Sequence, residues 1–553
     1  MAPTSMPALR LNPLLLAVAL VPAALAPAMA QTGAGPLLQQ QRQDNRPLQP
    51  PAPAPQVLEA PARPTVEMPE GTTVKVEGFR ITGARSYPVP ELDALLRPWV
   101  GRTLDLQGLN EAAGALTRRY QADGHLLSYA YLPAQKVAAG VVEIAVLEGQ
   151  IAAVQVVTAQ EVRLRDAVVQ AHTAGLTQAQ PVLQPEIERQ LLLLNDIPGV
   201  VARGTLTPGA STGTADVVVS VAEDEPLTLR VQADNHGSRS SGEYRAGLQM
   251  QLRDLSGWGD ATTLLATVSN GGGLVSGSIG TRVPVGGDGW HVGASLSRLT
   301  YDLSGDFAAL GATGVATTAS VSLEWPMVRR MQANLWLEAA LDYKRLNDEV
   351  RLIGQENQRA SRLGQLSARG DLQDGLFGGG ASVASAALWV GELRAGDAGR
   401  SSFKKAQLQL ARQQAVWGPV SAYARVLAQY TGRPLDSSEK LSLAGPTGVR
   451  AYAPGEASVD IGRLWSAELR YGLAHLGGQM TLSLFHDAAS GTRVRGAVLD
   501  DNDVRLRATG VGLQWTGGDL GVSASLAWRG GRVPTAEGGD PKPRVYLQLF
   551  ATP

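Results

Sequence analysis

Between residues 225 and 553, apolar and polar positions alternate with a period of two. In residues 243–253, Tyr244, Ala246, Leu248, Met250 and Leu252 fall on one face. Charged, amide or glycine positions fall on the other. Residues 227–234, 290–296 and 334–341 repeat the pattern. Beyond the first 30 residues, no window approaches the roughly 20 apolar residues that a membrane-spanning helix requires. A membrane location therefore demands a closed sheet, because lipid satisfies no free backbone groups. Apolar-out, polar-in segments of about ten residues predict a transmembrane antiparallel β-barrel. At about 20 residues per strand and connection, the region holds roughly 16 strands, an even number. A soluble β-sandwich shares the alternation, but the arginines on the inward face (Arg230, Arg245, Arg253) and the extent of the region favour the barrel.

Ahead of the barrel region, residues 72–222 carry one pattern twice. A strand at 74–79 is followed by a short helix at 90–98 and a second helix at 109–123. The second helix puts Leu109, Ala112, Ala113, Leu116 and Tyr120 on one face, and Asp123 and Gly124 stop it. Strands at 126–132 and 141–147 complete a β-α-α-β-β unit. The second copy places strands at 151–157, 200–207 and 215–221 around helices at 161–173 and 185–194. Upstream, residues 31–46 are glutamine-rich with Leu37 and Leu38 near the start, a short helix whose burial the sequence leaves open. Residues 47–71 form a proline-alanine linker (Pro50, Pro51, Pro53, Pro55, Pro61, Pro64), extended and semi-rigid. Residues 1–30 read as an export signal: Arg10, an apolar core at 14–20, and Ala28-Met29-Ala30 before Gln31. Pro22 and Pro27 interrupt the apolar run and argue against an anchor.

Composition narrows the function. Lysine and arginine total 49 against 50 acidic residues, which leaves no basic excess for nucleic acid. Sixty-three glycines and 18% charged residues suit a turn-rich β protein, and the absence of cysteine suits an oxidising compartment. Enzyme-like motifs do not hold together. Gly209, Ser211 and Gly213 match a nucleophile elbow, yet they precede a strand and not a helix. The six histidines (His125, His172, His236, His291, His475, His486) have no metal-ligand spacing. Gly271-Gly272-Gly273 lacks the lysine and helix of a phosphate loop and reads as a strand turn. No enzyme, cofactor or metal is expected.

The most informative motif is Gly445-Pro446-Thr447-Gly448-Val449-Arg450-Ala451-Tyr452, followed at a distance by Phe485-His486-Asp487. An arginine in a barrel lumen needs a carboxylate partner, and such a pair would pin a glycine-rich loop inside. The tandem units resemble POTRA domains, including the junction residues Leu147, Glu148 and Gly149 and the turn residues Asn195, Pro198 and Gly199. With Asp234-Asn235-His236-Gly237-Ser238, Trp325-Pro326-Met327-Val328-Arg329-Arg330 and Glu468-Leu469-Arg470-Tyr471, the mature chain resembles the ShlB/FhaC/HecB family, the TpsB transporters of two-partner secretion.

The resemblance implies a signal peptide at 1–30, a lumen-plugging helix at 31–46, a linker at 47–71, POTRA domains at 72–148 and 149–224, and a barrel at 225–553. The fold class is α+β tandem POTRA domains followed by the transmembrane barrel. Arg450 would face Asp487 with Phe485 packing nearby, on a tip shaped by Gly448, Val449 and Tyr452. The family's glycine after the arginine is Ala451 here, so the tip should avoid a strongly positive φ at that residue. Leu147, Glu148, Gly149, Asn195, Pro198 and Gly199 are the candidates for partner recognition. The implied function is an outer-membrane pore of a Gram-negative bacterium. It would recognise an unfolded TpsA-like exoprotein through its POTRA domains and export it without nucleotide hydrolysis. Its other implied partners are outer-membrane lipid and, for its own insertion, the barrel assembly machinery. An assembly factor for other barrels shares this plan but usually carries more POTRA units. A passive porin would need no such periplasmic domains.

Overall fold

The computed structural model describes residues 33–44, 58–59, 73–125, 127–159, 162–177, 183–211, 214–396, 399–499, 501–531 and 542–553. The expected signal peptide lies outside the described residues. So does the linker, apart from Leu58 and Glu59.

The first unit runs from strand Gly78–Thr82 through helices Val89–Leu96 and Leu106–Ala122 to strands Tyr129–Tyr131 and Val141–Leu147. The Asp105 carboxylate caps the longer helix at the Gly108 N–H (2.8 Å). Its face of Ala112, Ala113, Leu116 and Tyr120 packs on Ile81, Ile144 and Val146 of the sheet. The second unit repeats the order with strand Gln150–Thr158, helices Asp166–Thr173 and Gln184–Asn195, and strands Val200–Pro208 and Thr214–Glu223. Its core joins Val168, Ile187, Leu191 and Leu194 of the helices to Val217, Val219 and Val221 of the sheet. Residues 209–211 of the nucleophile-like motif form the turn between the last two strands, with the Gly209 N–H donating to the Thr214 carbonyl.

Among the described residues, sixteen antiparallel strands then close into a barrel, from Leu227–Asp234 round to Arg544–Ala551. Closure pairs Val231 with Ala551 and Asp234 with Gln548. Val231, Leu248, Leu296, Leu341, Leu366, Leu388 and Leu484 stand exposed on the outer wall, as apolar-out alternation requires. Several strands are longer than the ten residues expected. Ala312–Arg329 and Ala333–Val350 have 18 residues and Gln355–Asp374 has 20. A tilted strand needs only about nine to eleven residues to cross the hydrocarbon core. The remainder continues as paired sheet, with exposed polar Gln355, Glu356, Asn357 and Gln358 at the hairpin end.

The second unit is docked on the near end of the barrel. Arg329 makes a bidentate pair with Asp196 (2.8 Å on each arm), and Arg189 donates to the Pro326 carbonyl (3.0 Å). Arg165 donates to the Ser256 carbonyl and stacks on Trp258. Helix α1 (Ala34–Asp44) lies inside the barrel. Ala34 and Leu38 are buried against Leu274, Leu299, Tyr301, Leu346 and Val350 of the inner wall. The burial that sequence left open is thus settled by apolar wall positions that only the closed sheet brings together.

Candidate functional site

The loop at residues 432–460 leaves the far end of the barrel and folds back into the lumen. Its core is apolar: Leu441, Leu443, Val449, Tyr452 and Val459 are fully buried and pack on Leu464, Phe485 and Leu506. Two local features shape the tip. A Cβ on Gly448 would come within 2.5 Å of the Leu443 carbonyl oxygen, so only glycine fits there. The Val449 N–H donates to that same carbonyl, and the Tyr452 N–H donates back to Val449, closing a tight turn around Arg450. Ala451 keeps out of the left-handed region, as expected for a residue with a Cβ. The Tyr546 hydroxyl, from the last strand, donates to the Tyr452 carbonyl (2.7 Å).

This turn delivers Arg450 to two neighbouring strands. Strands Ile461–His475 and Gly478–Thr492 pair with Ser466 opposite Asp487 and Glu468 opposite Phe485. Side chains two apart share a face, so all four look into the lumen. Arg450 donates from Nε and Nη2 to the two oxygens of Asp487, 2.8 Å each, and its backbone N–H adds a third bond at 3.2 Å. Nη2 also reaches Glu468 (2.9 Å) and Ser466 (3.1 Å). Ser466 donates in turn to Asp487 (2.6 Å). The guanidinium lies 3.4 Å from the Phe485 ring centroid, and Phe485 and Asp487 are fully buried. A second arginine, Arg425, donates to the Thr447 carbonyl at the edge of the tip. Arg470 pairs with the other oxygen of Glu468 (2.8 Å) and stacks on Tyr423.

The expected set of Arg450, Asp487, Phe485, Gly448, Val449 and Tyr452 therefore meets in one place. Sequence reasoning did not assign Ser466, Glu468, Arg470 or Tyr423 to it. The signal was present in the alternation of Ser466, Glu468 and Arg470. Its meaning depends on the register against Asp487, which the sequence does not print.

Two further charge clusters hold the root of the loop. Glu439 is buried between Lys344 and Lys405 of the wall, with Lys405 at 2.8 Å. Asp436 is paired with Arg359, which also pairs with Asp348 on the adjacent strand. Asp348 accepts the Ala34 N–H of helix α1 (3.0 Å) and the Tyr301 hydroxyl (2.8 Å). A Cβ on Gly35 would lie 2.3 Å from the Ser437 hydroxyl, so helix and loop root touch directly. Gln40 donates to the His236 carbonyl, Gln41 to Ser276, and Arg42 reaches Asp342 (3.5 Å). Nothing in this constellation offers a nucleophile and base in register with a substrate cleft. These contacts hold two inserted elements inside the barrel.

The POTRA candidates lie elsewhere, at junctions. Glu148 accepts the Arg85 and Ser86 N–H groups and the Tyr120 hydroxyl, 2.8 Å each. Partial burial works against its charge, but these donors outweigh it and hold the carboxyl below its ordinary range. Leu147 ends the last strand of the first unit, and a Cβ on Gly149 would collide with Leu127. Asn195 bonds the Leu191 carbonyl and both backbone groups of Ala202. Pro198 and Gly199 continue that turn beside Asp196, with Gly199 at φ +87° facing Arg253 of the barrel.

Removing one carboxylate at a time should separate their contributions. Asp487→Asn leaves a buried guanidinium without its main partner and should cost about 3–5 kcal/mol. Glu468→Gln, which keeps a hydrogen bond, should cost about 1–2 kcal/mol. Limited proteolysis of residues 432–460 in the folded, detergent-solubilised protein should rank the variants in that order.

Comparison with known proteins places this geometry in context. The haemolysin secretion/activation protein ShlB/FhaC/HecB model matches residues 213–514, and the ShlB-type POTRA model matches residues 74–149. The heme/hemopexin transporter protein HuxB of Haemophilus influenzae is 25% identical over 461 residues, covering 79% of this chain and 80% of that one. The outer membrane transporter CdiB of Escherichia coli is 24% identical over 429 residues, 74% of this chain and 70% of its own. The solved structure of CdiB from Escherichia coli superposes with a TM-score of 0.71 at 20% identity, over 93% of this chain and 96% of that one.

Proposed function

The chain belongs to the ShlB/FhaC/HecB family of haemolysin secretion/activation proteins, and from that premise we propose that helix α1 is a removable obstruction in a protein-conducting pore and the lumen loop a fixed part of its lining. The protein is a TpsB transporter of two-partner secretion, set in the outer membrane with its POTRA domains in the periplasm. Transporters of this family act with secreted exoproteins. For this chain the client is an unfolded TpsA-like exoprotein. The observation that carries the mechanism is the bonding of Arg450 to Asp487, Glu468 and Ser466 deep in the barrel.

The steps follow from the chain's own groups. The periplasm holds no nucleotide, so movement must come from binding and folding free energy. An extended client segment meets the POTRA units, where a sheet edge can accept it through main-chain hydrogen bonds. It then enters a lumen occupied at rest by helix α1 and the loop. Among the described residues, the polar contacts of helix α1 include the Ala34 N–H and the long side chains of Gln40, Gln41 and Arg42. The loop is held by buried charge at both root and tip. The helix is therefore the easier element to displace. The Arg450 tip fixes the loop against one side of the lumen and keeps the wall ordered as the client passes. Folding of the client outside prevents its return. The POTRA junction residues Leu147, Glu148, Gly149, Asn195, Pro198 and Gly199 set the relative placement of the units and, through it, the presentation of the client. Lipid surrounds the apolar outer wall, and the barrel assembly machinery inserts it.

An assembly factor for other barrels would use the same architecture, and secretion and barrel profiles distinguish the two. Arg450→Ala should abolish or sharply reduce export of the exoprotein encoded beside this chain while the barrel remains inserted and other outer-membrane proteins stay at normal levels. Normal export by that variant would sink the role given to the loop. Deletion of residues 31–46 should raise single-channel conductance in planar bilayers with only a modest loss of export. Unchanged conductance would show that helix α1 does not obstruct the pore.

A further inference from the structure

The second unit has an edge strand that is already partly occupied. Strand Val200–Pro208 pairs on one side with Thr214–Glu223. On its other side, Leu58 and Glu59 of the linker pair with it in parallel, Leu58 opposite Gly204 and Glu59 opposite Thr205. Backbone groups along a strand point alternately to its two neighbours. The Ala202 N–H and carbonyl are taken by the side chain of Asn195, at 3.1 and 2.8 Å. Two residues on, Gly204 presents its groups in the same direction, and there the linker begins. Asn195 thus closes one end of the edge and sets where an added strand can start.

The linker sequence fits this placement. Six prolines stand among residues 50–64, but Gln56, Val57, Leu58, Glu59 and Ala60 form a proline-free interval between Pro55 and Pro61. Proline lacks the N–H that a ladder requires, so pairing cannot spread beyond the interval. The result is a short added strand on a nine-residue edge. A longer extended segment could outcompete it by pairing with more of that edge.

We propose that Leu58 and Glu59 are a built-in competitor for the exoprotein's docking edge on the second POTRA unit, so that client binding there releases the linker and disfavours return of helix α1 to the lumen. This rests on the transporter reading above and adds where the client binds and how binding reaches the pore. The coupling is a matter of tether length. With Leu58 held, the nearest fixed point lies fourteen positions along the chain from Asp44 at the end of helix α1. A fully extended chain of that length spans at most about 50 Å. With Leu58 free, the next paired position among the described residues is Val74, thirty positions from Asp44, a reach of about 100 Å. Effective concentration falls with roughly the −3/2 power of tether length, so the doubling lowers helix re-entry about threefold.

The absence of cysteine allows a clean test in the full-length protein. Glu59→Pro removes the N–H that faces the Gly204 carbonyl and with it the pairing, and the double variant Glu59→Cys/Thr205→Cys can fix the pairing as a disulfide. In planar bilayers, Glu59→Pro should raise the open probability about threefold over wild type. The oxidised double variant should stay at or below the wild-type value. Oxidised cells should export less of the neighbouring exoprotein, with recovery under dithiothreitol. Wild-type gating in Glu59→Pro, failure of the disulfide to form, or full export by the oxidised variant would each overturn the proposal. Export by wild type and by the reduced double variant is the separate check on the transporter reading. If both export normally while the oxidised form does too, the transporter stands and the competitor falls.

Discussion

A guanidinium in the middle of a β-barrel is costly unless its charge is answered there, and here Arg450 is answered by three side chains on two adjacent strands. Removing these charges from water is offset only because the geometry is bidentate, Ser466 adds a bond to Asp487, and the other Glu468 oxygen is paired with Arg470. The rest of the lumen depends on this placement. It requires a glycine at 448, where the chain approaches Leu443, and a tight turn ending at Tyr452. It also brings the apolar body of the loop against Leu464, Phe485 and Leu506, so the loop carries a core of its own inside the pore.

The root of the loop repeats the same device with different residues. Glu439 sits between two lysines of the wall, and Asp436 shares Arg359 with Asp348. Because Asp348 also accepts the first N–H of helix α1, one strand carboxylate is common to the helix and the loop. The two inserted elements are thus stabilised by overlapping contacts but unequally. The loop has buried ion pairs at both ends. The helix has a small apolar face and a set of long polar side chains. In the mechanism proposed above, that inequality would let the helix leave the lumen while the loop stays.

Much of this was legible in the sequence. The period of two from residue 225 onward pointed to the closed sheet, because alternation follows directly from strand geometry and from the contrast between lipid and lumen, and the length of the region at about 20 residues per strand and connection pointed to the strand number. The repeated β-α-α-β-β order gave the two units, and the pairing of Arg450 with Asp487 followed from the family's motifs. What stayed hidden depended on register or on contacts between distant segments. Glu468 and Ser466 become ligands of Arg450 only because they lie opposite Phe485 and Asp487. The burial of Leu38 needs Leu299 and Leu346, more than 250 residues away in sequence. Leu58 and Glu59, inside a proline-rich linker, gave no strand signal beyond a short gap between prolines.

The central claim is that Arg450 and Asp487 act as one unit in export. A double-mutant cycle tests it most directly: quantify the neighbouring exoprotein in the medium for Arg450→Ala, Asp487→Ala and the double variant, at matched levels of inserted barrel. Acting as a unit, the pair should lose no more export together than either change causes alone. Losses that multiply would show the two residues working independently, and the account of a loop held in the lumen by this pair would be contradicted.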